Sequence, residues 1–188
     1  MSQLFRNKYR IPSARLVGWD YSRPGAYFVT ICTRNRVCWF GGVKNGKMVL
    51  SDIGKIVHDE WAKTPKIRPN VKLDEFVVMP NHFHGILIIK NDDVRTIRPN
   101  VVETTRRVVS TKTATEPERK TTLKSNSLGS IIGQFKSVCT KRIRAVNDPE
   151  FQWQSRFHDH IIRNEPELFR IRQYIRNNPA KWERDRNR

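Results

Sequence analysis

Apolar residues recur along this chain with two periods, one near two and one near 3.6, and their alternation predicts the order of elements. Residues 27–33 are β-branched and aromatic and predict a first strand, with a second short strand at 37–40 and Gly41-Gly42 turning the chain. Residues 47–50 add a short strand. Ser51 is then placed to cap a helix in which Ile53, Ile56, Val57 and Trp61 recur at helical spacing, and Pro65 is expected to end it. Residues 73–79 and 82–89 predict two strands joined at Pro80-Asn81, a pair suited to a tight connection. The second of these is apolar on both faces, which puts it centrally in a sheet with cover on each side.

Beyond residue 90 the pattern stops. Segment 91–125 has no aromatic residue, eight threonines and little periodicity, and is expected to be a mobile insertion. Order resumes with a helix marked by Leu128, Ile131, Ile132, Phe135 and Val138, whose exposed side carries Lys136, Lys141, Arg142 and Arg144. Residues 151–153 and 157–163 predict a strand pair. Asn164 and Pro166 then open a last helix with Leu168, Ile171 and Ile175 on one face. The result is a single α+β domain spanning 1–188, with a basic N-terminal segment at 1–25. Helices on one side of a largely antiparallel sheet match ferredoxin-like and RRM-like architectures.

Charge adds a partner to this picture. The formal net charge is +18 over 188 residues, and residues 1–50 hold nine Lys and Arg against the single acid Asp20. Such an excess favours a polyanion, chiefly nucleic acid, with acidic lipid as the competitor. Arg6, Lys8, Arg10 and Arg15 are the candidate backbone contacts at the N-terminus, and Lys136, Lys141 and Arg142 those on the later helix. Trp19, Tyr21 and Trp39 are placed either to stack on bases or to pack in the core. Three cysteines without CxxC spacing signal neither a disulfide framework nor a thiolate zinc site. With no long apolar run and no signal-peptide pattern, a cytoplasmic location without membrane insertion is expected.

The candidate chemistry begins at Pro80-Asn81-His82-Phe83-His84-Gly85. Alternate strand residues share a face, so His82 and His84 project side by side and suit two nitrogen ligands on one divalent ion. Two satisfied core histidines are the competing reading. His158 and His160 repeat the spacing, either as two more ligands of a four-histidine centre or as residues at a strand end. On the last helix Tyr174 and Asn178 lie four residues apart and hence on neighbouring positions, at the edge of the apolar face. By itself that pair reads first as a boundary aromatic and a C-terminal cap before Pro179.

Taken together, residues 79–85 and the run Tyr174-Ile175-Arg176-Asn177-Asn178-Pro179-Ala180-Lys181-Trp182 resemble the REP-associated tyrosine transposases, single-tyrosine members of the His-hydrophobic-His (HUH) endonuclease superfamily. The stretch 153–163 resembles the segment that precedes their tyrosine helix. The resemblance implies that His82 and His84 bind a divalent metal, Mg2+ or Mn2+, and that Tyr174 is the nucleophile. Asn178 falls where many insertion-sequence relatives carry a glutamine as third ligand; one methylene shorter, it reaches a metal directly or through water. The implied reaction cuts single-stranded DNA beside a hairpin through a 5′-phosphotyrosine, frees a 3′ hydroxyl and needs no nucleotide cofactor. The family implies either a homodimer or a monomer. The competing function is a catalytically silent, RRM-like nucleic-acid-binding module.

Overall fold

The computed structural model describes residues 15–90, 124–146, 148–185 and 187. Arg6, Lys8 and Arg10, and residues 91–123 of the expected 91–125 insertion, lie outside the described residues.

Among the described residues the chain forms β1 (Gly25–Cys32), β2 (Gly41–Lys44), β3 (Lys47–Leu50), α1 (Asp52–Ala62), α2 (Thr64–Ile67), β4 (Val71–Val78), β5 (His82–Ile89), α3 (Leu128–Ala145), β6 (His158–Ile162) and α4 (Glu165–Asn177). Short 3-10 turns occupy Arg34–Arg36 and Pro179–Arg184. Four strands make one antiparallel sheet in the order β4-β5-β1-β6, while β2 and β3 form a separate hairpin. With the hairpin set aside, this is the ferredoxin-like strand order, and the α+β class expected from the pattern holds. β5 is central, as its two apolar faces require.

Strand alternation divides the core in two. Tyr27, Val29, Ile31, Phe83 and Leu87 face α1 and α3 and pack with Val57, Trp61, Ile131, Ile132 and Phe135. Phe28, Val77, Ile86 and Ile162 face the other way and pack with Leu168, Ile171 and Ile175 of α4. The helices therefore cover both faces of the sheet, not one. Ser51, Ser127 and Asn164 cap α1, α3 and α4 by accepting a bond from the backbone N–H three residues on. Trp61 is fully buried, its ring 4.6 Å from Phe83 and 5.1 Å from Phe135. Trp61→Ala should lower the unfolding free energy by about 3–5 kcal/mol, measured by denaturant titration.

Four local expectations change. Residues 37–40 are not a strand, because Phe40 turns into the core and donates its N–H to the Pro80 carbonyl at 2.9 Å. The hairpin begins at Gly41, where φ is 126° and an added Cβ would lie 2.1 Å from the Val49 carbonyl, and it turns at Asn45-Gly46, both at positive φ. Pro65 sits in the first turn of α2, a position where its missing N–H costs nothing, so it does not terminate α1. Residues 151–153 contribute a single bridge, Thr33 to Trp153, because Phe151 and Trp153 spend their side chains on an aromatic cluster with Trp39 and Phe40.

Candidate active site

The turn at Pro80-Asn81 delivers His82 and His84 to the α4 face of the sheet, with Cα partners Cys32 and Thr30 on β1. Both histidines are buried, their ring centroids 4.5 Å apart. Each ring is held at its Nδ1 side. His84 Nδ1 lies 2.8 Å from Thr30 Oγ1, and His82 Nδ1 lies 2.8 Å from Asn81 Oδ1.

The second of these contacts fixes a tautomer. Asn81 Nδ2 donates to two carbonyls, of Arg36 at 3.1 Å and Asn187 at 2.9 Å, so the amide oxygen must be the atom facing His82. An amide oxygen only accepts. His82 therefore carries its proton on Nδ1 and turns a bare Nε2 lone pair inward, as a metal-binding histidine does. Burial pushes the His82 pKa down to about 4, against the pull of Asp185, so the ring is neutral at pH 7.

Around that lone pair the site is rich in acceptors. His82 Nε2 and Asn178 Oδ1 are both buried without a hydrogen-bond partner. Asp185 Oδ2 stands 3.7 Å from His82 Nε2, and ligand atoms of His82, His84 and Asp185 lie within 4.8 Å of one another. Orphaned buried acceptors cost free energy unless something electropositive meets them. A divalent cation fits this donor set of imidazole nitrogens, carboxylate and amide oxygen.

Asn178 keeps helical dihedrals at φ −59° and ψ −44° although Pro179 follows it, so the proline does not redirect it out of the helix. The proline instead opens the 3-10 turn, which folds the chain back across the site. Trp182 then stacks on His82 at 6.0 Å and Asp185 arrives from the C-terminal side.

Tyr174 projects from α4 with its Oη 3.2 Å from His84 Nε2. Phe28 completes the nest, stacked on His84 at 5.4 Å and edge-on to Tyr174 at 6.1 Å. Tyr174 is 44% exposed, whereas Tyr21 and Tyr27 are 9% and 0% exposed in the core. Tyr174 is thus the described tyrosine that a macromolecular substrate can reach.

Other candidate residues fall elsewhere. Lys136 donates to the carbonyls of Gln154 and Arg156, and burial lowers its ammonium pKa. Arg142 pairs with the buried Glu60, and both belong to the layer on the opposite face of the sheet from Tyr174. Lys141 is exposed on that same helix. Arg15 bonds Asp159 at 3.3 Å and lies over the rings of Tyr21 and Phe157. Trp19, Tyr21 and Trp39 all belong to the core or pack against it. His158 and His160 share the sheet face of His84 but sit on the edge strand, exposed, with His160 bonded to Glu167. They stand apart from the His82–His84–Asp185 group, so no four-histidine centre forms among the described residues.

Asn81, Thr30 and Asp185 escaped the sequence reading. Asn81 carried a signal, lying beside His82 in a turn. Thr30 and Asp185 carried none, since only strand register and a chain reversal after Pro179 bring them near.

The chain is 38% identical over 174 residues to an uncharacterized protein of Haemophilus influenzae, covering 92% of this chain and 90% of that protein. No sequence-family profile matches the chain. Among solved structures it resembles a REP-associated tyrosine transposase bound to a REP hairpin, with a TM-score of 0.56 and 21% identity over 92% of this chain and 74% of that one.

Proposed function

For a chain that belongs to one family with the Haemophilus influenzae protein and shares the fold of a REP-associated tyrosine transposase, we propose a transposase-type activity: metal-dependent nicking and rejoining of single-stranded DNA beside a hairpin. The observation that carries this reading is the placement of Tyr174 Oη 3.2 Å from His84 Nε2, where an accessible hydroxyl meets a cluster of buried acceptors. The hairpin in the neighbouring structure supports the choice of DNA form, and the charge of +18 supports a polyanionic substrate.

His82, His84 and Asp185, with Asn178 beside them, would hold Mg2+ or Mn2+. When bound, such an ion neutralises the non-bridging oxygens of the phosphodiester, whose charge otherwise repels a nucleophile. Asn81 and Thr30 hold the two imidazoles in place. Tyr174 supplies the oxygen. Its Oη–P bond forms as the P–O3′ bond breaks, the phenolic proton passes to water, and the departing 3′ oxygen takes a proton from water. The 5′ phosphate stays on Tyr174 until a 3′ hydroxyl attacks it and restores the tyrosine, so bond energy is conserved across the cycle. Arg6, Lys8, Arg10 and Arg15 would contact the DNA backbone from the N-terminal segment.

The test is a 5′-phosphate-tracking label placed in single-stranded DNA next to a hairpin, incubated with protein and Mn2+ and resolved on a denaturing gel. A protein-linked band that disappears on chelation is the expected result. Strong salt-dependent binding with no covalent band would favour a silent binding module instead.

Asp185 and Asn178 separate in a second experiment. Asp185→Ala should weaken Mn2+ binding by about 10–100-fold in calorimetry, because it removes the carboxylate nearest His82 Nε2. Asn178→Ala should weaken it less than Asp185→Ala does, since a neutral amide contributes a dipole where Asp185 contributes a charge.

A further inference from the structure

We infer that Arg172 and Arg176 are positioning residues, which with Asp74 and Glu75 fix the roll of α4 that aims Tyr174 at His84. The inference rests on the proposed role of Tyr174 for its consequence, but not for its geometry.

The pairing begins with an irregularity in β4. Leu73 is opposite Leu87 and Phe76 is opposite Gly85, so two residues, Asp74 and Glu75, face the single Ile86. That is a β-bulge, and bulges re-aim side chains. In a regular strand, alternation would send only one of two consecutive residues toward α4. Here both carboxylates meet α4. Asp74 accepts from Arg172 through both oxygens, at 2.8 Å from Nε and 2.6 Å from the terminal nitrogen, and Glu75 pairs with Arg176. Asp74 Oδ1 also accepts the Glu75 N–H at 2.8 Å, which locks the bulge itself.

The two arginines are four residues apart and form one stripe of the helix. At about 100° per residue, Tyr174 lies roughly 160° around the helix from each of them. Between the two sides runs the buried stripe of Leu168 and Ile175, seated on Ile86 and Ile162. The apolar stripe sets how close α4 lies to the sheet but leaves rotation about its own axis weakly defined, because hydrophobic contact is non-directional. A bidentate arginine–carboxylate pair is directional. With its stripe fastened to the β4 edge, the opposite flank of α4 is directed at β5 and β1, where Tyr174 meets His84 and Phe28.

The competing role for two arginines beside such a site is contact with DNA phosphate. The acidic partners separate the two. If the arginines bind DNA, removing the Asp74 charge should tighten DNA binding. If they hold the helix, Asp74→Asn and Arg172→Met should both impair cleavage in the same direction.

Two measurements decide. Amide hydrogen exchange on the whole protein should show α4 exchanging about two- to fivefold faster in Asp74→Asn and in Arg172→Met, with α3 unchanged. In the nicking assay each variant should lose about tenfold in kcat with KM for DNA held within twofold, and the charge-swapped pair Asp74→Arg with Arg172→Glu should recover part of the loss. Unchanged α4 exchange in both variants, or a loss expressed in KM alone, would overturn the inference. Should the unaltered protein form no adduct, the proposed function fails, and hydrogen exchange alone then decides whether these pairs hold the helix.

Discussion

Tyr174→Phe is expected to abolish the covalent protein–DNA band while leaving the protein folded and able to bind DNA. The substitution removes one oxygen from a side chain that is 44% exposed, and the phenyl ring retains its edge-on contact with Phe28. Thermal stability should therefore stay within about 0.5 kcal/mol of the parent. Cleavage should fall by at least about a thousandfold, since loss of the nucleophile leaves a covalent mechanism without its first bond. Tyr21 and Tyr27 offer no substitute. Tyr27 is fully buried and donates its hydroxyl to the Arg23 carbonyl, and the Tyr21 hydroxyl accepts from the Leu16 N–H. Filter binding and calorimetry on the same preparation separate lost chemistry from lost affinity.

The second large effect is expected from the histidines. His82→Ala and His84→Ala should each weaken Mn2+ binding by more than about a hundredfold, because partners that merely support a ligand already account for 10–100-fold. In the unaltered protein, Mn2+ at a hundred times its Kd should stabilise the fold by about 2.7 kcal/mol, seen as a rise in Tm. Neither alanine variant should show that rise. Asn81→Asp is the informative companion. It exchanges an amide that bonds two carbonyls through Nδ2 for a carboxylate that cannot, so the C-terminal reversal carrying Asp185 loses an anchor while His82 keeps an acceptor. Its Mn2+ affinity should fall between those of the parent and His82→Ala.

Much of this architecture was legible from periodicity. The double-sided apolar run of β5 announced a central strand with cover on each face, and the structure supplies that cover with α1 and α3 on one side and α4 on the other. The same run contradicted the expectation of helices on one side only, because Ile86 and Ile88 point away from Phe83 and Leu87. The hairpin was displaced by a few residues, since Gly41-Gly42 and Asn45-Gly46 are both turn signals and only the steric demand at Gly41 assigns the first to strand entry. The intramolecular partners of the candidate basic residues were not legible: Lys136 meets the Gln154 carbonyl, Arg142 meets Glu60 and Arg15 meets Asp159, pairings set by tertiary packing that spacing does not encode.

At the site the motif residues were readable because each sits in a local pattern: two histidines on one strand, and a tyrosine with an asparagine one turn later. Asp185 was not readable. It is separated from His82 by about a hundred positions and lies among alternating charges, and only the 3-10 turn after Pro179 returns it to the histidines. Asn178 remains buried beside His82, so the shorter amide keeps its place in the site while a carboxylate joins it. The bulge at Asp74-Glu75 is likewise invisible in the sequence, where two consecutive acids on a strand suggest opposite faces.

The most direct measurement is mass spectrometry of the covalent species formed with hairpin-flanked single-stranded DNA and Mn2+, after digestion by nuclease and trypsin. Cleavage after Arg172 and Arg176 releases the tetrapeptide Gln173-Tyr174-Ile175-Arg176. The account predicts that this peptide carries a 5′-phosphonucleotide on Tyr174. A nucleotide on any other residue, or a cleaved strand with no protein-linked product, would contradict it.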